Sequence, residues 1–116
     1  MGKQKKSVGK TYEVRLTLPA QQNIDEITGY IAFITQQPLN AIKVGDAIFA
    51  IFDKIATNPF AYKECEQLST KTKMYRQASC YSWYIIYKIL ATEIVILGII
   101  HQSRKPARLK ALRKVK

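Results

Sequence analysis

The sequence is poor in the residues from which small metabolic enzymes build their active sites. Its 116 residues include one histidine, His101, and two cysteines, Cys65 and Cys80, whose spacing gives no CxxC motif. A histidine-rich metal site and a zinc knuckle are therefore excluded. The five glycines form no cluster for a nucleotide phosphate, and no GxSxG motif is present. We therefore predict no metal, no cofactor and no small-molecule substrate.

Long apolar runs are also missing. The longest run, residues 94–100, has seven residues, whereas a membrane-spanning helix requires about twenty. Residues 1–10 are charged but lack the apolar stretch of a signal peptide. Two cysteines make no disulfide framework, so both are predicted to be free thiols. We expect a cytoplasmic protein that has no membrane partner.

Acidic residues are scarce at both ends of the chain. The net charge is +11, of which residues 1–10 carry +4, residues 11–66 carry −3 and residues 67–116 carry +10. Such a field attracts phosphate polymers, acidic protein segments or anionic membranes. We predict a flexible basic arm over residues 1–11, a single domain over residues 12–104, and a basic tail or helix over residues 105–116.

The abundant residues are β-branched and aromatic, and they form two runs in the second half of the chain. Residues 81–90 and 93–100 are separated by a short break, which is typical of two neighbouring strands. In the first run the side chains alternate between two faces. One face would carry Trp83, Ile85, Tyr87 and Ile89, and the other Tyr84, Ile86 and Lys88. The second run is apolar at nearly every position, so we expect both of its faces to be covered.

The first half of the chain predicts one strand followed by two helices. Residues 12–18 alternate in polarity, and residues 20–37 change to helical spacing. Pro38 ends the first helix, and a second is predicted over residues 39–57. The short joint between them makes an αα-hairpin. Apolar stripes are expected to face the core, formed by Ile24, Ile27, Ile31 and Ile34 on the first helix and by Ile42, Val44, Ile48, Ile51, Phe52 and Ile55 on the second.

The remaining segments complete an α+β fold. Residues 60–69 are predicted to be a loop and residues 71–78 a strand, and Ser103 is a candidate cap for a last, basic helix. The element order is therefore β-α-α-β-β-β. We predict a small twisted, mainly antiparallel sheet packed on the αα-hairpin.

Cationic and phenolic side chains are the remaining candidates for a functional site. They lie on or just after the predicted strands and comprise Arg76, Tyr84, Lys88, His101 and Arg104. Arginine and lysine stabilise the charge of phosphate groups, and an imidazole can transfer protons. Structural alternatives exist for several of them: Arg76 and Lys88 as solubilising strand residues, His101 as a hydrogen-bond partner of a loop. Tyr87 is predicted to pack in the core.

Two segments and the order of elements resemble a known family. The segments are residues 84–89, YIIYKI, and residues 96–106, ILGIIHQSRKP. In the second, an apolar strand is followed by a histidine, two residues and an arginine. Together with the element order across residues 12–106, they resemble the RelE/ParE superfamily of toxins from type II toxin–antitoxin modules.

The resemblance implies a small basic toxin that inhibits growth and belongs to a module of the kind that stabilises plasmids. An acidic antitoxin would wrap its helices and sheet and hold it inactive. RelE-like members enter the ribosomal A site and cleave mRNA by activating a ribose 2′-OH. ParE-like members inhibit DNA gyrase and lack that catalytic set.

Two departures favour the ParE-like branch. RelE-like members usually carry an arginine where this chain has Tyr84, and a phenol lacks its permanent charge. The chain also ends in LRKVK rather than in a tyrosine or a histidine–tyrosine pair. We therefore predict a protein without catalytic activity that contacts gyrase. The predicted binding residues are Tyr84, Lys88, Arg104, Lys105 and Arg108.

Two alternatives remain open. The first is a RelE-like ribosome-dependent endoribonuclease whose catalytic residues are Arg76, His101 and Arg104, converging with Tyr84 and Lys88 on one concave site. The second is a non-toxic, basic nucleic-acid-binding module. Such a module would bind phosphate with steep salt dependence and little sequence preference.

Overall fold

The computed structural model describes residues 11–103 and 111–115 and confirms the predicted α+β fold. Two α-helices and five strands follow one another within residues 11–103. In order they are β1 (Glu13–Leu16), α1 (Leu18–Gly29), which continues as a π-helical turn (Tyr30–Ile34), α2 (Pro38–Thr57), β2 (Lys63–Glu64), β3 (Tyr75–Cys80), β4 (Trp83–Ile89) and β5 (Glu93–His101). Short 3-10 helices lie at Pro59–Ala61, Glu66–Leu68 and Leu112–Lys114.

The predicted arm and most of the predicted basic tail lie outside the described residues, as do Arg104, Lys105 and Arg108. From the tail, Leu112 and Val115 pack against the sheet on the side away from the helices. Within the described part of the chain, no helix is long and apolar enough to cross a membrane.

The sheet is mixed, with strand order β1-β5-β4-β3-β2. Strand β1 pairs with β5 in parallel, and the other neighbours pair antiparallel. A parallel pair needs a long crossover, which here contains the helical hairpin and β2–β4. The mainly antiparallel pairing was predicted, whereas β2 lies within the segment that was predicted to be a loop.

Both helices pack on one face of the sheet, and the predicted alternation of β4 is confirmed. Ile85 and Tyr87 are buried on the helix side, while Ile86 is buried on the other side. Strand β5 is buried on both faces, as expected from its continuous apolar sequence. The helices contribute a single buried stripe, formed by Ala20, Ile24, Ile31, Ala41, Val44, Ile48, Phe52 and Ile55.

A β-bulge in β5 reverses which residues face the helices. Ile86 pairs with Gly98 and Tyr87 pairs with Ile96, so that one residue of β5 has no opposite neighbour. The hydroxyl of Thr17, the N-cap of α1, donates to the Ile96 carbonyl oxygen at 2.8 Å. The Oδ1 atom of Asn23 accepts from the Ile99 amide at 2.9 Å. Helix α1 therefore satisfies the backbone groups that the bulge exposes, and residues beyond it change face.

Strand β3 begins four residues later than predicted, because residues 70–73 form a turn. The Lys73 amide donates to the Thr70 carbonyl oxygen at 3.1 Å, and Lys73 has a φ of 55°. A left-handed residue does not continue a strand. The turn between β3 and β4 likewise places Tyr81 at a φ of 54°, so β4 begins at Trp83 rather than at residue 81.

Candidate functional site

Arg76 is held by the backbone of its own chain. It lies on β3 beside Tyr87 of β4, on the helix side of the sheet. Its Nη1 atom donates to the carbonyl oxygens of Tyr62, at 2.9 Å, and Phe60, at 3.4 Å. Its Nε atom donates to the Lys73 carbonyl oxygen at 3.0 Å, and its Cζ atom lies 5.2 Å from the centre of the Phe60 ring. Arg76 thus joins the segments on either side of β2.

Tyr87 closes the same end of the sheet, and its predicted place in the core is confirmed. The side chain is fully buried, and its hydroxyl donates to the Pro59 carbonyl oxygen at 2.6 Å. Burial raises the pKa of the Tyr87 phenol, against a smaller opposing effect of the Arg76 charge. The phenol therefore stays protonated and acts as a hydrogen-bond donor.

His101 lies at the other end of the helix side, opposite Trp83. The two rings are edge to face, with centres 5.8 Å apart. The His101 Nδ1 atom accepts from the Ser103 amide at 3.2 Å and lies 2.8 Å from the Ser103 Oγ atom. The structural alternative, a hydrogen bond to the following loop, is thus present in the structure, while the imidazole itself is exposed.

A groove of about 590 Å³ opens beside His101, between the end of α1 and the ends of β4 and β5. We call it the His101 groove. Its floor is apolar, and its sides carry aromatic and polar groups. The lining residues are Asn23, Glu26, Ile27, Tyr30, Ile31, Trp83, Ile99, Ile100, His101 and Ser103. The bulge determines which face of the sheet residues 99–101 point to, and these residues line the groove. The shape of the groove therefore depends on the bulge. The signal for the bulge in the sequence is Gly98, because a glycine inside a strand often marks a bulge.

Tyr84 and Lys88 lie on the opposite face of the sheet. Tyr84 packs beside the buried residues of that face, and Lys88 is the cross-strand neighbour of Tyr75. The Arg113 guanidinium lies 5.8 Å from the centre of the Tyr75 ring. This face is therefore bordered by cations and partly covered by the end of the chain.

The four predicted site residues that the structure describes, Arg76, Tyr84, Lys88 and His101, do not meet on one concave surface. Arg76 and His101 share the helix side but lie at its opposite ends, two strands apart, which places their Cα atoms roughly 16 Å from each other. Tyr84 and Lys88 are on the other face, and Arg104 lies outside the described residues. The catalytic roles of Arg76, His101 and Arg104 and the binding roles of Tyr84, Lys88, Arg104, Lys105 and Arg108 stay predictions.

Metal-ligating residues do not cluster in the described part of the chain: no group of three or more histidine, cysteine or acidic side chains is found there. The two cysteines are buried and belong to the cores on opposite faces of the sheet, Cys65 away from the helices and Cys80 towards them. Burial raises the pKa of the Cys80 thiol, which disfavours the reactive thiolate.

The helical hairpin exposes a second candidate surface that the sequence reasoning missed. Ile34 and Ile42 were expected to face the core, but they are 69% and 60% exposed. The π-helical turn adds a residue per turn and rotates Ile34 outwards, and Ile42 lies beside the buried stripe of α2. We call the exposed set the hairpin face: Tyr30, Phe33, Ile34, Leu39 and Ile42.

The chain was compared with known proteins. It matches the family model of the ParE toxin of the type II toxin–antitoxin system parDE over residues 14–106. No curated protein matches it. Its fold is similar to a chain of the chromosomal ParDE toxin–antitoxin system from P. aeruginosa, with 17% identity and a TM-score of 0.61 over 78% of this chain and 96% of that one.

A second similar structure comes from the RelBE2 toxin–antitoxin complex of Mycobacterium tuberculosis. The identity is 18% and the TM-score 0.50, over 78% of this chain and 98% of that one. At these identities the two likenesses show a shared fold alone. The family model, however, spans most of the chain, including the helical hairpin, the bulge and the strand that ends at His101. The chain therefore belongs to the ParE toxin family of type II toxin–antitoxin systems.

Proposed function

We propose that this protein is a growth-inhibiting toxin that acts in the cytoplasm by binding DNA gyrase and is neutralised by a cognate antitoxin. The observation that carries the proposal is the hairpin face. Phe33 and Leu39 are 80% and 81% exposed, three further large apolar side chains of the same hairpin are also exposed, and Phe33 and Ile42 line one cavity between the two helices. Several large apolar side chains exposed on one part of a protein are typical of a protein-binding site.

An antitoxin is the partner that best fits this surface. The similar structures from P. aeruginosa and M. tuberculosis are both described as toxin–antitoxin assemblies. On the other face of the sheet, Lys88 and Arg113 lie beside apolar and aromatic side chains. An acidic antitoxin segment fits that face, because opposite charges favour association and fix its direction.

Inhibition by contact fits the site geometry better than RNA cleavage. An endoribonuclease needs its charged groups around one scissile phosphate. Arg76 instead donates to three carbonyl oxygens of its own chain, and His101 lies roughly 16 Å away. Among the described residues, these two cannot serve one phosphate together without unfolding the loops that Arg76 holds.

Induction of the chain in bacteria separates gyrase from the ribosome as the target. We expect filamentation, DNA breaks and relaxed plasmids within a few generations, with translation continuing at first. Purified gyrase should lose supercoiling activity when the chain is added. Immediate loss of translation, with mRNA cut at the ribosomal A site, would instead establish the RelE-like alternative. Normal growth, with tight salt-sensitive binding to nucleic acid, would establish the non-toxic module.

A further inference from the structure

The His101 groove combines three features that one chemical group can satisfy together. Its floor is made by buried isoleucines such as Ile31 and Ile99, and its sides carry the aromatic rings of Tyr30 and Trp83. Glu26 is the one carboxylate among the described residues that line it, and they include no lysine or arginine. The described lining thus carries a carboxylate in a protein whose net charge is +11.

We propose that the His101 groove binds an arginine side chain of the antitoxin. The inference rests on the proposed function and names a contact that the antitoxin makes. A guanidinium forms paired hydrogen bonds with a carboxylate, here that of Glu26. Its flat cation packs against aromatic rings, here Tyr30 and Trp83. The methylene stem of the same side chain covers the apolar floor.

The charge of the helical layer supports a cationic occupant. Residues 18–57 carry four acidic and two basic side chains, a net charge of −2, whereas residues 67–116 carry +10. A partner that covers both regions therefore needs acidic residues over the sheet and cations over the helices. An antitoxin that is acidic throughout would leave Glu26 facing like charge.

The position of Tyr30 connects the groove with the hairpin face. This side chain lines the groove, and it is 59% exposed as a member of the hairpin face. A single helical segment that covers Phe33 and Ile34 can therefore continue past Tyr30 and place an arginine in the groove. The two surfaces form one docking region with an apolar part and a charged end.

Trp83 supplies a direct readout, because it is the only tryptophan of the chain. The antitoxin is sought as a short acidic protein encoded by a reading frame next to that of this chain, and its binding is followed by Trp83 fluorescence. We expect Glu26→Gln to weaken binding at least tenfold. Asp53→Asn, the same charge change on α2 and outside the groove, should change binding less than twofold. Circular dichroism checks that both variants are folded.

Substitution of each antitoxin arginine by lysine identifies the anchor. For one arginine, the substitution should weaken binding and reduce the fluorescence change, and Glu26→Gln should then have no further effect. Equal affinity of the wild-type chain and Glu26→Gln, or full retention of binding by every lysine variant, would overturn the proposal.

A second probe keeps the groove testable if the neighbouring protein does not bind. That result would count against the proposed antitoxin partnership and not against the groove. Arginine amide at millimolar concentration should then change the Trp83 fluorescence in a saturable way. Citrulline amide, which has the same α-amino group but a neutral side chain, should not. The same response to both amides, or a response that survives Glu26→Gln, would refute arginine binding in the groove.

Discussion

The two ends of the helix side of the sheet contain similar residues and use them differently. At one end, the Nε and Nη1 atoms of Arg76 and the phenol of Tyr87 donate to backbone carbonyl oxygens of the same chain. At the other end, His101 is exposed, and Trp83 and Glu26 line an open groove. We call the end with Arg76 and Tyr87 the closed end, because it joins segments of the chain. We call the end with His101, Trp83 and Glu26 the open end, because its groove is open to a partner.

This difference shows that residue type alone does not identify a functional site. An arginine beside two aromatic rings resembles a phosphate site in the sequence, but here its Nε and Nη1 donors already have backbone acceptors. The functional candidates are the side chains whose surroundings leave room for another molecule. Substitutions at the closed end should therefore change stability, and substitutions at the open end should change binding.

The largest effect is expected from Tyr87→Ala. Removing a fully buried aromatic side chain leaves a cavity and an unpaired Pro59 carbonyl oxygen, which should lower the free energy of unfolding by about 3–5 kcal/mol. Trp83→Ala at the open end is the matched control, and it should lose less than half as much because Trp83 is only partly buried. Urea titration followed by circular dichroism measures both. Equal losses of unfolding free energy in the two variants would mean that the two ends contribute equally to stability.

A smaller effect is expected from Arg76→Ala. The variant loses the hydrogen bonds to the Phe60, Tyr62 and Lys73 carbonyl oxygens, and we expect a loss of about 1–2 kcal/mol in the free energy of unfolding. Growth inhibition at a temperature where the variant is folded should persist. A variant of full stability without growth inhibition would instead make Arg76 a functional residue.

Alkaline pH should weaken the closed end through Tyr87. Burial raises the pKa of its phenol above the ordinary value near 10, so the folded state binds this proton more tightly than the unfolded state. The resulting stability is fully present below about pH 10 and is lost as the pH rises further. In Tyr87→Phe, the free energy of unfolding should fall less steeply as the pH rises above about 10. Because burial also raises the pKa of Cys80, both proteins are compared in a Cys80→Ala background.

The smallest effect on stability is expected from His101→Ala. The imidazole is exposed and bonds only to Ser103 among the described residues, so the free energy of unfolding should change by no more than about 0.5 kcal/mol. Gyrase inhibition by the purified variant should stay within twofold of the wild-type value. Loss of growth inhibition at full stability would show that the open end includes a catalytic group.

Much of the fold could be predicted from local patterns. The alternation of residues 83–89 gave the two faces of β4 correctly, and Pro38 and Pro59 marked the limits of α2. These features depend on neighbouring residues and on the backbone restrictions of proline. The antiparallel pair β4–β5 follows from the same local signals because its strands are adjacent in the chain.

The site could not be predicted in the same way, because it depends on long-range contacts. The face of His101 is set by a bulge whose backbone groups bond to Thr17 and Asn23, which are more than 70 residues away along the chain. The side chain of Arg76 meets Phe60 and Tyr62 because β2, which lies in the predicted loop, pairs with β3. The hairpin face could not be predicted, because exposed and buried isoleucines of a helix follow the same helical spacing in the sequence.

The claim that the antitoxin binds the hairpin face is tested by measuring its affinity for a variant of that face. Phe33→Asp combined with Leu39→Asp alters two highly exposed side chains and should leave the fold intact. We expect the double variant to lose at least a hundredfold in affinity for the antitoxin. Leu90→Asp, at an exposed apolar position outside the hairpin, should keep the wild-type affinity. Unchanged affinity of the folded double variant would show that the antitoxin does not bind the hairpin face.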